Sequence, residues 1–146
     1  MGLNLTKING SVYLGGNSIF DGSAGSSGPI HVAGGGNIIK GGLGADRFGF
    51  DGALAGRADT ITIFQHGLDK IELSETIDFP GLGPHGALHP SHFHLGAPVN
   101  GHPQIDYFKS TGVLEYYPNG RFGTADHFAT LTNHPNVSAS DFSLIA

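Results

Sequence analysis

From residue 58 onward the chain runs in short stretches in which apolar and polar residues alternate. They are ADTITIF (58–64), DKIELS (69–74), QIDYF (104–108), GVLEYY (112–117), HFATL (127–131) and DFSLI (141–145). A period of two, with aromatic and β-branched residues enriched, predicts β-strands. Gly67 with Asp69, Ser110 to Gly112, and Pro118 to Gly120 carry the turn chemistry expected of hairpin connectors. No window shows the 3.6-residue period of an amphipathic helix. Residues 79–103 hold five prolines and five histidines and form the longest expected loop. A single helical turn is expected there at Pro90 to Phe93, because proline is tolerated at a first helical position.

The first fifty residues obey a different rule. Phe20, Ile30, Ile39 and Phe48 are spaced ten, nine and nine apart. The clearest unit is GGLGADRFG (41–49), which matches the nonapeptide GGxGxDxUx, with Asp46 as the acid and Phe48 as the large apolar residue. Asn37 and Ile39 hold those two places nine residues earlier, and GSAGSS (22–27) is a weaker copy of the turn. Such a unit is a six-residue glycine-rich turn leading into a three-residue strand. Two units make one coil, and the inward apolar residues stack from coil to coil, so no single repeat is stable alone. Three or four repeats require a cap. The expected fold is therefore all-β: a short right-handed parallel β-roll over about residues 10–65, capped by an antiparallel β-sandwich over 66–146, the whole forming one domain.

Composition narrows the function classes. The 146 residues include 25 glycines and no cysteine, which excludes disulfides, thiolate metal sites and a cysteine nucleophile. A net charge of −5 with seven Lys and Arg argues against nucleic acid and anionic membranes as partners. No apolar run approaches the length of a spanning helix, and the first residues lack a Sec signal pattern.

GGLGADRFGF, the run ADTITIFQHGLDKIELS, and the later stretches HFHLG, STGVLEYYPNG and HFATLTNHPNVSASDFSLI together resemble the RTX, or haemolysin-type, calcium-binding C-terminal region of bacterial proteins secreted by type I systems. The ADTITIF segment is similar to the segment after the β-roll in serralysin-like proteases and in the R-modules of alginate epimerases. The resemblance covers roughly residues 16–146 and implies a secreted, extracellular, calcium-binding, non-catalytic module whose partners are calcium and the type I secretion machinery. The ending Asp141-Phe142-Ser143-Leu144-Ile145 resembles the acidic-then-apolar terminus of such substrates. Where the family repeats several aspartates, the sixth turn position here reads Ser27, Asn37 and Asp46. Few acids mean little charge repulsion between turns, so the domain is expected to fold substantially without calcium and to gain modest stability from it.

In a β-roll, turns eighteen residues apart share an edge. The expected calcium site therefore combines the backbone of Gly42 and Gly44 with the carboxylates of Asp46 and Asp59, and a poorer one combines Asn37 with Asp51. The same aspartates could instead satisfy turn amides. Tyr107, Tyr116 and Tyr117, with Arg121 nearby, are the candidate platform for a polysaccharide, the alternative function; cross-strand pairing is the competing role. The histidines at 85, 89, 92, 94 and 102 have metal-ligand chemistry, but residues 79–103 contain no Asp or Glu to serve as a base. No HExxH, GxSxG or Walker pattern is present, and no enzyme is expected.

Overall fold

The computed structural model describes residues 5–8, 11–22, 29–42, 44–51 and 57–146. Residues 23–27 of the GSAGSS turn, including Ser27, lie outside them. The strands, in chain order, are β1 (Leu5–Ile8), β2 (Ser11–Leu14), β3 (Ile19–Asp21), β4 (Ile30–Val32), β5 (Ile38–Lys40), β6 (Arg47–Phe50), β7 (Asp59–Ile61), β8 (Lys70–Ser74), β9 (Gly86–Ala87), β10 (Phe93–Leu95), β11 (Gln104–Phe108), β12 (Val113–Tyr117), β13 (Asp126–Leu131) and β14 (Phe142–Ile145). Short 3-10 turns stand at Pro90–His92, Gly120–Phe122 and Ala139–Asp141. The first of these has proline at its start, as expected.

The strands form two sheets of seven, ordered β1-β2-β4-β6-β8-β14-β9 and β10-β11-β12-β13-β7-β5-β3. From β2 to β8 consecutive strands alternate between the sheets and pair in parallel with the strand two places on. This corrects the expected architecture of an all-β parallel β-roll with a separate antiparallel β-sandwich over it. Both sheets are mixed and mostly parallel, and they run through the whole chain with a few short helical turns between strands. The last two strands, expected in the cap, join the same sheets in parallel, β13 on β7 and β14 on β8. Antiparallel pairing is confined to β1-β2, β11-β12-β13 and the β14-β9 edge. The expected hairpin through Gly67 is likewise corrected, because β7 and β8 lie in different sheets.

Alternation explains the layering. In β4 Ile30 and Val32 face inward and His31 outward, and in β6 Phe48 and Phe50 face inward. Val12, Ile30, Phe48, Ile71 and Phe142 stand in register across five strands of the first sheet. Phe20, Ile39, Ile61 and Leu131 form the matching row in the second. Each fully buried side chain of this size contributes roughly 1.5–3 kcal/mol, so the stacked rows hold the coils together. Phe79, from the connection after β8, enters the core edge-on to Phe128 at 4.9 Å, Tyr116 at 5.4 Å and Phe50 at 6.5 Å. The expected long loop 79–103 contains β9 and β10, each an outermost strand of one sheet.

The tight turn before β5 requires glycine. Gly34, Gly35 and Gly36 have φ of 76°, 67° and 72°, and a Cβ on Gly34 would stand 2.6 Å from the carbonyl oxygen of Gly15 in the preceding coil. Only a residue without a side chain permits both the left-handed backbone and that approach.

Candidate functional site

At Asn37, Asp59 and Asp69 a buried polar side chain accepts a backbone amide from the coil before it. On the second sheet's side, the Ser18 amide donates to Asn37 Oδ1 at 2.9 Å, and the Asn37 amide donates to Asp59 Oδ1 at 2.8 Å. Asn37 Nδ2 also donates to Asp59 Oδ1, at 2.9 Å. On the first sheet's side, the amides of Asp46 and Gln65 donate to the two oxygens of Asp69 at 2.9 and 2.8 Å. Asp141 continues the pattern near the C-terminus, receiving the amides of Gly67 and Ser138 and pairing with His66 Nδ1 at 2.6 Å. A strand entrance buried between coils has amides that water cannot reach, and a short acceptor side chain is the local way to satisfy them.

The two ladders place the expected calcium ligands differently from the eighteen-residue rule. Asp46 is joined to Asp69 at a separation of 23 residues, and Asn37 to Asp59 at 22, whereas Ser18 and Asn37 are 19 apart. The later coils are longer than two nonapeptides. Gly42 and Gly44 therefore belong to a turn whose acidic neighbour is Asp69, and Asp46 folds back onto Gly41, where a Cβ would overlap its carboxylate. Asp51 turns to the opposite face and pairs with His31 Nδ1 at 2.5 Å. Among the described residues no group of three or more His, Asp or Glu side chains is assembled to hold a metal ion.

Asp59 differs from the other rungs. It is wholly buried, its Oδ2 has no hydrogen-bond partner among the described residues, and burial pushes its pKa up to about 6 against the two Asn37 hydrogen bonds that lower it. A buried carboxylate oxygen without a partner, beside a glycine turn, is the kind of acceptor that a hard cation takes.

No family model and no curated protein matches this chain.

The expected tyrosine platform does not form. Tyr107 and Tyr116 are 1% and 2% exposed and point into the core, where their hydroxyls donate to the carbonyls of Pro135 and Pro80. Tyr117 faces outward, half-buried, and donates to Glu115 at 2.8 Å, while Arg121 lies over the ring of Phe122 at 4.8 Å. Burial pushes the pKa values of Tyr116 and Tyr117 up to about 12, with Asp126 and Glu115 respectively adding to the effect. The histidine loop is pinned by its own backbone: His89 accepts the Ser91 amide, His92 Nδ1 pairs with the Pro103 carbonyl at 2.6 Å, and His102 Nε2 with the Ser91 carbonyl at 3.2 Å.

Sequence reading missed a part-exposed arrangement on the first sheet. Tyr13 and His31 are register partners on β2 and β4, and their rings stack at 4.3 Å and 6°. Next in the row come Gly49 and Glu72, and Glu72 also meets Arg47 at 3.7 Å. Gly49 has space for a Cβ, with Asp51 Oδ2 and Glu72 Oε1 both 3.8 Å from it. The only signal in the sequence was one polar or aromatic residue at the centre of each short strand. His31–Asp51 and His66–Asp141 are imidazole–carboxylate pairs, but no hydroxyl among the described residues hydrogen-bonds to either imidazole, so a nucleophile–base relay is not assembled. No helix among the described residues is long and apolar enough to cross a membrane.

Proposed function

We propose that this chain is a non-catalytic, calcium-responsive module of a secreted protein, supporting its folding outside the cell and its export by a type I system. The observation that carries the reading is the buried Asp59 carboxylate, held by Asn37 on one oxygen and, among the described residues, without a partner on the other. Calcium takes six to eight oxygens and accepts backbone carbonyls readily, so a glycine turn with one carboxylate makes a site of low charge and modest affinity. The ion would remove the cost of leaving Asp59 Oδ2 unpaired, and its binding free energy would add to folding. The export part rests on the resemblance of the nonapeptide and of the terminus SASDFSLI to type I substrates.

The test is thermal unfolding in chelator, in millimolar calcium and in millimolar magnesium. A calcium-specific rise in midpoint that disappears in Asp59→Asn supports the reading, and equal midpoints in all three conditions overturn it. Export is tested separately, by coexpressing the chain with a type I exporter and assaying the medium.

A second reading, binding of a polysaccharide, is favoured by one observation: the stacked Tyr13–His31 pair, with the Asp51 and Glu72 carboxylates close by across Gly49. Sugars stack on exposed rings and hydrogen-bond to carboxylates. Retention of the chain in gels cast with neutral polysaccharides, lost in Tyr13→Ala, is the expected result.

A further inference from the structure

The outer face of the second sheet carries a row of ionisable side chains that neither calcium binding nor the polysaccharide surface uses. His94 on β10, Asp106 on β11, Glu115 on β12 and His127 on β13 are successive register partners. Register partners on neighbouring strands share a sheet face, with Cβ atoms about 4.5–5.5 Å apart. Alternation is consistent with this: Ile105 and Tyr107, flanking Asp106, are core residues, and so are Leu114 and Tyr116, flanking Glu115.

Asp106 is 0% exposed, and neither of its oxygens has a hydrogen-bond partner among the described residues. His94 Nε2 is also buried and without a partner. A buried carboxylate in this position would carry an uncompensated charge next to the Glu115 carboxylate, which is among the most costly arrangements in a protein interior. A protonated Asp106 avoids that cost. It is neutral beside Glu115, and its strand partner is His94, whose Nε2 is also buried and without a partner among the described residues.

We propose that His94, Asp106 and Glu115 form a proton-dependent latch for the edge strand β10, closed while Asp106 carries a proton and loosened when that proton leaves. β10 is the outermost strand of its sheet and, among the described residues, pairs only with β11, through three residues, of which His94↔Asp106 is the central pair. Ionisation at that position therefore acts on the one ladder that holds the strand.

The groups facing Asp106 are His94 from β10 and Glu115 and Tyr117 from β12, with His127 of β13 one strand further along the row. Gln104 and Phe108, its neighbours on β11, do not titrate. Burial, and then Glu115, push the pKa of Asp106 up to about 7. A carboxyl whose folded pKa lies above its unfolded value stabilises the fold below the unfolded pKa, and that stability is lost as pH rises through the folded one. The latch thus opens on the alkaline side of about pH 7.

The experiment is amide hydrogen exchange of the full chain at a series of pH values either side of neutrality, corrected for intrinsic exchange rates, on the wild type, Asp106→Asn and Glu115→Gln. The β10 and β11 amides of the wild type should lose protection as pH rises through neutrality. Asp106→Asn is uncharged at every pH and should hold protection constant with pH. Glu115→Gln removes the neighbouring negative charge, which makes ionisation of Asp106 easier, and should move the loss to lower pH. Infrared spectra should show a protonated carboxyl stretch near neutral pH that is absent from Asp106→Asn. Protection of β10 that does not change with pH in the wild type, or an unshifted transition in Glu115→Gln, would overturn the proposal even if Asp106→Asn failed to fold.

Discussion

Asp59→Asn is the perturbation with the sharpest expected outcome, because it keeps the shape and one acceptor of the side chain, removes its charge, and places an amide NH2 where Oδ2 stood. The amide oxygen introduced by the substitution can still receive the Asn37 backbone amide and Nδ2, the two hydrogen bonds that hold Asp59. What disappears is the cost of ionising a buried carboxyl whose pKa is raised from 3.8 to about 6. At about 1.36 kcal/mol per pH unit, the rise from 3.8 to about 6 corresponds to about 3 kcal/mol at most, and relaxation of the site reduces it to roughly 1–3 kcal/mol. The sign comes from linkage. The wild-type contribution of Asp59 is most favourable below pH 3.8 and is lost as pH rises to about 6, so the variant and wild type should be equally stable at about pH 3 and diverge above it. In chelator at a pH above about 7, urea unfolding monitored by circular dichroism should show Asp59→Asn to be the more stable, by an amount that moves the thermal midpoint several degrees. Calcium should then raise the midpoint of the wild type and leave the variant unchanged. A variant less stable than wild type in chelator would refute the reasoning, since it would mean that the charge gains more from Asn37 than burial costs it.

The ladders and the core give three further expected outcomes. Asp69→Ala leaves the Asp46 and Gln65 amides without acceptors and should cost about 2–5 kcal/mol, whereas Asp69→Asn, which keeps one acceptor, should cost less than half as much; denaturant midpoints separate the two. Phe79→Ala opens a cavity among Phe50, Tyr116 and Phe128 and should lose about 3–5 kcal/mol by the same assay. Gly112→Ala places a Cβ onto the Leu131 carbonyl from a backbone with φ of 77° and should prevent the β11–β12 hairpin from closing on β13, seen as loss of soluble folded protein, while Gly67→Ala, with φ of 81° but open space around it, should cost only about 1 kcal/mol.

Strand positions were legible because the cause of a strand, alternation of inward and outward residues, is written locally. KIELS and VLEYY carry alternating burial written in their sequence, whereas QIDYF is buried at four consecutive positions; each is a strand. The nine-residue spacing of Ile30, Ile39 and Phe48 marks strands that fall alternately in the two sheets, but the separate β-roll expected from it did not follow, because the same sheets continue through β13 and β14. Partner choice was not legible. DFSLI alternates equally well as the last strand of an antiparallel cap or as a parallel addition beside KIELS, and what decides is that Phe142 and Leu144 find Ile71 and Leu73 in register, a contact between segments some seventy residues apart.

The site divides in the same way. Acceptor residues at strand entrances were visible as Asn37, Asp46 and Asp59, but which turn each one serves depends on coil length, and coils of 22 or 23 residues paired Asp46 with Asp69 instead of Asp59. The tyrosines illustrate the limit most plainly: alternation showed that Tyr107 and Phe108 face opposite ways, yet only the packing of Phe79 and the proline carbonyls in the core shows which way is inward. Asp106, like Glu72 in KIELS and Glu115 in VLEYY, is a carboxyl in the middle of its strand, but it alone of the three is fully buried. Its meaning appears only when β10 and β12 bring His94 and Glu115 to either side of it, because a charge is costly or harmless according to neighbours that the chain meets only after it has folded.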